Sequence, residues 1–289
     1  MSDSALTVIV RPEEMRAQAD LWRSQGLTIA LVPTMGFLHE GHASLIRRAR
    51  ELADRVVVSI FVNPIQFGPN EDFAAYPRDL EKDKALVTRE GTDLLFVPEA
   101  ADLYPSGFQT SVHVERLTAG LCGASRPGHF DGVTTVVTLL FHLAKPHIAV
   151  FGAKDYQQAA VVRRMTRDLC FGIAIEVAPI VRESSGLAMS SRNSYLSAQQ
   201  RAEATVLYHA LRLAEALVRS GERDAGQIIA AMRILIDGIA SSRIDYIALV
   251  DPDTLEPVQH IVADVQALLA VYIGRTRLID NMRLAVKND

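Results

Sequence analysis

The chain has 289 residues, 49% of them hydrophobic and 22% charged, with a formal net charge of -4 at pH 7. That length supports a large core and about two domains, and the charge balance leaves no basic excess to hold a nucleic-acid backbone. Two cysteines make no disulfide framework, no apolar run approaches the ~20 residues of a membrane helix, and the opening "MSDSALTVIV" lacks the pattern of a secretory leader, so a cytoplasmic protein without membrane or nucleic-acid partners is expected.

In chain order, "LTIALV" from Leu27 to Val32 is short, apolar and followed by Pro33, the pattern of a buried strand. After Gly41, Leu45, Ile46, Ala49, Leu52 and Ala53 recur at helical spacing, with Arg47, Arg48 and Arg50 on the opposite side. A second strand, Arg55 to Val62, completes a βαβ unit whose first loop and helix tip lie at the carboxyl edge of a parallel sheet. Strands at Asp93–Pro98, His147–Gly152 and Ile173–Val181 alternate with helices at Phe130–Ala144 and from about Asp155 to Leu169. This alternation predicts an α/β fold, a doubly wound parallel sheet. Beyond Val181 the pattern changes to two long helices, opened by capping boxes at Ser197/Gln200 and Asp224/Gln227, and to strand-like runs Ile244–Val250, Gln266–Ile273 and Thr276–Met282. A catalytic domain at 1–181 and a smaller α/β lid at 182–289 follow, with the glycine and serines near 185–191 suited to a hinge.

The chemistry gathers at the carboxyl edge. His39 and His42, with Gly41 between them, stand where unpaired helix N–H groups already favour an anion, so imidazole donors there suit a nucleotide phosphate. Neither G-x-G-x-x-G nor G-x-x-x-x-G-K-[ST] is present to explain the site otherwise. Asn63 and Gln66 end the second strand and offer uncharged donors and acceptors to a hydroxyl- and carboxyl-bearing substrate, although Asn63-Pro64 also makes an ordinary turn. Arg126, His129 and Asp131 precede an apolar helix; Asp131 reads as its N-cap, and Arg126 either closes over an anion or lies in an exposed connection. Lys154 beside a helix start suits phosphate, and Asp155 either caps that helix or faces a magnesium ion held mostly by phosphate oxygens. Ser190, Ser191 and Arg192 form a phosphate clamp or a plain linker. Both cysteines read as core residues, and a zinc site from His39, His42 and Cys122 lacks compact ligand spacing.

Taken together, "PTMGFLHEGH", "FVNPIQFGPNEDFAAYPR", "RPGHFDGVTTVV", "FGAKDYQQ", "GLAMSSRNSYL" and "DPDTLEP" resemble, in this order and over essentially the whole chain, the pantoate–beta-alanine ligases, while His-x-Gly-His alone resembles the wider nucleotidyltransferase superfamily. The resemblance implies a Rossmann-like nucleotidyltransferase fold and a two-step reaction in which pantoate and ATP give pantoyl adenylate and pyrophosphate, and beta-alanine then displaces AMP. It implies ATP with magnesium, a homodimer, and an ATP site of Met35, Gly36, Phe37, Leu38, His39, Glu40, Gly41, His42, Gly152, Ala153, Lys154, Asp155, Val181, Met189, Ser190, Ser191 and Arg192. The resemblance implies that Gln66 and Gln158 hold pantoate and that His42 carries the catalytic role, while Asp155 as metal ligand and Asn63 as a substrate residue are readings of the residues themselves. Ala153 departs from the resemblance, standing where Glu or Gln is usual. Because pantoate's carboxylate is already ionised, its attack needs alignment and charge stabilisation rather than a base, so His39, His42, Lys154 and Arg192 are read as electrostatic partners.

Overall fold

The computed structural model describes residues 6–69 and 71–286. Residues 1–5, part of the stretch inspected for a leader, and Asn70, inside the second resembling motif, lie outside them.

The sheet forms from β1 (Thr7–Ile9), β2 (Ile29–Thr34), β3 (Arg55–Ile60), β4 (Leu94–Phe96), β5 (Ile148–Gly152) and β6 (Ala174–Ala178). All pairs are parallel, in the order β1-β4-β3-β2-β5-β6. The chain winds outward from β2 to β3 and β4, then crosses back to place β5 on the other side of β2. The order therefore reverses between β2 and β5, and the crevice beyond their carboxyl ends is where open α/β sheets take ligands. The interior strands are near-continuous apolar runs because both faces are covered. On one face α2 (Glu40–Leu52) buries Ala43, Leu45, Ile46 and Ala49 with Ala30, Val32, Val56, Val58 and Val150. On the other, α1 (Pro12–Ser24) and α6 (His129–Ala144) pack together and against β2. The remaining helices of this part are α3 (Leu80–Arg89), the single turn α4 (Ala100–Leu103), and α7 (Tyr156–Asp168); the single turn α5 is Cys122–Ser125.

The chain divides into two compact units, one of Met1–Glu115, Arg126–Ala153 and Gln158–Pro179, the other of Arg116–Ser125, Lys154–Gln157 and Ile180–Asp289. The second unit holds an antiparallel sheet in the order β7 (Ser242–Val250), β8 (Val265–Ile273), β9 (Thr276–Leu284). α9 (Val206–Arg219) and α10 (Ala225–Asp237) bury Leu207, Leu211, Ile228 and Met232 in a core with Leu249, Leu269 and Val271.

Three local expectations are corrected. The capping box at Ser197/Gln200 opens only a six-residue helix, α8 (Ala198–Glu203); the chain then tightens, with the Thr205 hydroxyl donating to Ala202 O, and α9 starts afresh. At α10 the Asp224 carboxylate caps Gln227 N at 3.1 Å without a reciprocal bond, so it is a cap and not a box. Asp131 is not the N-cap of α6: Gly128, with φ 79°, turns the chain into the helix three residues earlier, and Asp131 sits in its first turn beside His113 Nδ1 at 2.7 Å.

Candidate active site

The loop between β2 and α2 is fixed by internal side chains. Gly36 has φ 84°, and a Cβ there would stand 2.9 Å from Ile60 Cγ2, so both conformation and space require glycine. Its N–H donates to Thr34 Oγ1 at 3.2 Å. Phe37 follows with φ 51°, and its N–H and that of Leu38 donate to the two carboxylate oxygens of Asp83 on α3, at 2.8 and 2.6 Å. Asp83 is 1% exposed; burial raises its carboxyl pKa, and the two backbone donors pull it back. Leu38 itself enters the core, while Glu40 pairs with Arg47 on the exposed side of α2.

The two histidines cap α2 reciprocally. His39 Nδ1 accepts from Gly41 N at 3.1 Å and His42 Nδ1 accepts from His39 N at 3.3 Å, with ring centroids 4.1 Å apart. A backbone N–H can only donate, so each Nδ1 is the lone-pair nitrogen and each neutral ring carries its proton on Nε2. The pair thus carries its two Nε2–H groups, in the same tautomer, at a helix N-terminus, where the dipole already favours negative charge.

Gln66 sits on a rigid platform. Its Nε2 is 3.0 Å from Met35 Sδ and its Oε1 accepts from Asn63 Nδ2 at 3.1 Å. Asn63, 1% exposed, also donates to Gly132 O at 3.0 Å and accepts from the Tyr104 hydroxyl at 2.8 Å; burial raises the Tyr104 pKa and keeps it a donor. A Cβ on Gly132 would fall 2.6 Å from Gln66 Cα, so this glycine lets α6 touch the backbone that carries Gln66. The Gln66 carbonyl accepts from His129 Nδ1 at 2.9 Å, and His129 Nε2 is 2.9 Å from Arg126 Nη1. Arg126 meanwhile forks onto Glu71 at 2.5 and 2.6 Å. Burial would raise Glu71's carboxyl, but Arg126, the Gly68 N–H and His129 together hold it below the usual carboxylate range. Arg126 is therefore committed to an internal ion pair, which answers the choice between an anion clamp and an exposed connection with neither.

At the end of β5, Gly152 and Ala153 close the first unit's share of the expected nucleotide residues, and Gln158 is half-buried on α7. In the second unit, Lys154 Nζ lies 4.0 Å from Asp155 Oδ2 and the Lys154 carbonyl accepts from Asn281 at 2.9 Å. Gln157, 4% exposed, is occupied with the backbone of 117–122: it donates to Leu117 O and Gly120 O and accepts from Cys122 N. Val181 and Met189 are joined by a 2.9 Å backbone bond, beside a bridge between Arg182 and Ala188. Ser190 caps the short turn Ser191–Tyr195 through Arg192 N at 3.3 Å. Arg182 forks onto the buried Asp280 at 2.6 and 2.9 Å. The run that the sequence leaves open between a phosphate clamp and a plain linker is thus a hydrogen-bonded hairpin and turn. Cys122 is buried but not apolar in its surroundings: its Sγ is 3.2 Å from the Tyr246 hydroxyl, and Arg277 Nη2 is 3.6 Å away.

A doubly wound sheet with His-x-Gly-His at the tip of α2, the helix that follows β2, on the ligand-taking edge of the sheet, defines an α/β nucleotidyltransferase-like enzyme. The sequence profile of the Pantoate-beta-alanine ligase family matches residues 7–283. The pantothenate synthetases of Moorella thermoacetica and Heliobacterium modesticaldum are 55% and 54% identical, over 92% and 94% of this chain and 94% and 97% of theirs. The pantothenate synthetase structure from Thermus thermophilus superposes with a TM-score of 0.91 at 45% identity, covering 96% of this chain and 99% of that one. The Francisella tularensis pantoate-beta-alanine ligase, complexed with beta-gamma ATP and beta-alanine, gives 0.80 at 33% identity, covering 96% and 97%. The chain belongs to the pantoate-beta-alanine ligase family.

Asp83, Glu71, Gly132 and Tyr104 were not legible as site residues. Their partners lie 46, 55 and 41 positions away for Phe37–Asp83, Glu71–Arg126 and Asn63–Tyr104. Only the motif "RPGHFDGV" hinted at Gly132, and it does so without saying what the glycine faces.

Proposed function

We propose that the chain condenses pantoate with beta-alanine at the expense of ATP, giving pantothenate, AMP and pyrophosphate through pantoyl adenylate. The observation that carries this reading is the imidazole pair, with both Nε2–H donors at the tip of α2. The carboxylate oxygen of pantoate forms a bond to the α-phosphorus as the bond to the pyrophosphate oxygen breaks. No proton moves in that step, and the protein's part is to align the reactants and stabilise charge on the equatorial and leaving oxygens. His39 and His42 supply neutral donors, and Lys154 and Arg192 supply positive charge. The amine of beta-alanine then attacks the acyl carbon, loses its proton, and expels AMP.

In this reading Met35–His42, Gly152–Asp155, Val181 and Met189–Arg192 serve ATP, while Gln66 and Gln158 hold pantoate. Asn63 acts on the substrate through Gln66, whose amide it orients. Ala153 replaces a peripheral contact only. Asp155, half-exposed, is the residue that would help to hold a magnesium ion arriving with ATP, as suits a cation bound through few protein carboxylates. No group of three or more His, Cys, Asp or Glu side chains among the described residues forms a protein-only cage. When bound, the ion would neutralise polyphosphate charge. Homodimer formation, a cytoplasmic setting and the lid role of residues 182–289 rest on the resemblance and on composition. Among the described residues no helix is long and apolar enough to cross a membrane.

The test is isotope exchange. With ATP, magnesium and pantoate, labelled pyrophosphate should enter ATP at a rate that vanishes when pantoate is left out; exchange without pantoate, or none at all, rejects the adenylation reading.

A further inference from the structure

Four consecutive amides of the loop before α2 are directed inward. Gly36 donates to Thr34 Oγ1, Phe37 and Leu38 to Asp83, and His39 to His42 Nδ1. In Gly-rich phosphate loops such amides cradle the anion themselves. Here they hold the loop, and the groups at the tip of α2 are side-chain imidazoles.

The turn that aims those rings is conformationally demanding. Gly36 and Phe37 both have positive φ, 84° and 51°, and phenylalanine rarely adopts that region unless its surroundings impose it. Asp83 imposes it: one carboxylate, wholly buried on α3, accepts from both amides that follow the turn, and its Oδ2 also fills the space beside Gly36. The same loop carries Met35, which touches Gln66.

We propose that Asp83 is a positioning residue for adenylation, holding the 36–38 turn so that the two imidazoles meet the polyphosphate and Met35 meets Gln66. The inference rests on the ligase reading above. A displacement of about 1 Å in a reacting geometry can cost on the order of a hundredfold in rate, and a loop released from its two charge-assisted bonds would move by at least that much.

The test is a double-mutant cycle on pantoate-dependent pyrophosphate exchange, using Asp83→Ala, His42→Ala and both together, with a thermal melt of each. Asp83→Ala should fold, lower kcat by about a hundredfold and raise KM for pantoate, since Met35 no longer meets Gln66. In the His42→Ala background its effect on kcat should be markedly smaller than in the wild type, because one of the two rings it aims is gone. A general structural role would instead give losses that multiply in both backgrounds, and that result, or full activity of Asp83→Ala, overturns the inference. Should Asp83→Ala fail to fold, Asp83→Asn keeps the shape and one acceptor and must show a smaller loss with the same dependence on His42; wild-type kcat in Asp83→Asn overturns it equally. A His42→Ala enzyme with wild-type exchange would sink the reading of the histidines, whatever Asp83 does.

Discussion

The histidines at the carboxyl edge of the large sheet come in two opposite settings. His39 and His42 use Nδ1 as an acceptor for backbone N–H groups and keep the proton on Nε2, the side not taken by the cap. His129 is reversed: Nδ1 donates to the Gln66 carbonyl and Nε2 faces Arg126, so both nitrogens serve the scaffold. One residue type carries its proton on Nε2 in the first case and on Nδ1 in the second, and the backbone partner decides which. Gln66 lies between them, its amide near Met35 and its carbonyl on His129.

The comparison can be broken from either side. The largest effect is expected on the side of the capping pair: His42→Ala should lower the adenylation rate about a hundredfold, or ~3 kcal/mol, while circular dichroism and melting stay near wild type. Unimpaired exchange would remove His42 from the mechanism. Next, Gly132→Ala drives a methyl group to within 2.6 Å of Gln66 Cα, a backbone atom that has no rotamer to escape by. It should cost about 1–3 kcal/mol in denaturant unfolding and raise KM for pantoate; a neutral result would mean that the close approach of α6 does not fix Gln66.

His39→Asn separates the cap from the donor, because asparagine is a strong N-cap but offers no Nε2–H. Stability should hold and the exchange rate should fall roughly tenfold, about 1.4 kcal/mol; equal losses in both would show that the ring is only a cap.

The smallest effect lies on the side of His129 and is confined to acid. Because Glu71's folded pKa is lowered from 4.5, its pairing with Arg126 stabilises the protein fully above that value and is lost as pH falls through the lower folded pKa. Glu71→Gln should therefore be less stable than wild type at pH 7, with the gap closing below about pH 4.5. A gap unchanged between pH 7 and pH 3 would contradict the pairing.

Much of the sheet was legible because its strands are buried on both faces and its crossover helices keep a 3.6-residue period, as Leu45, Ile46 and Ala49 show on α2. The edge strand β1, three residues long, carries too little pattern to be read. α1 carries its signal in its composition: Pro12 at its first turn, acids at Glu13 and Glu14, and Met15, Ala19 and Trp22 on one face. α3 escaped for a more instructive reason. Its inward positions include Asp83, and a buried carboxylate interrupts the apolar stripe by which a helix is recognised. In the site, motif residues stood out by type, but their division of labour did not. Asn63 looks like a substrate amide in sequence, and the fold occupies it with internal partners.

The central claim is that ATP's phosphates meet the Nε2–H groups of a neutral, mutually capped imidazole pair. It is tested most directly by long-range proton–nitrogen NMR of the histidine side chains, recorded without and with a non-hydrolysable ATP analogue. The account predicts a bare Nδ1 and a protonated Nε2 for His39 and His42 in both samples, with the Nε2 resonances shifting on binding while those of His129 stay in place. Protonated Nδ1 in the capping pair, or an analogue that binds without moving either Nε2 signal, would contradict it.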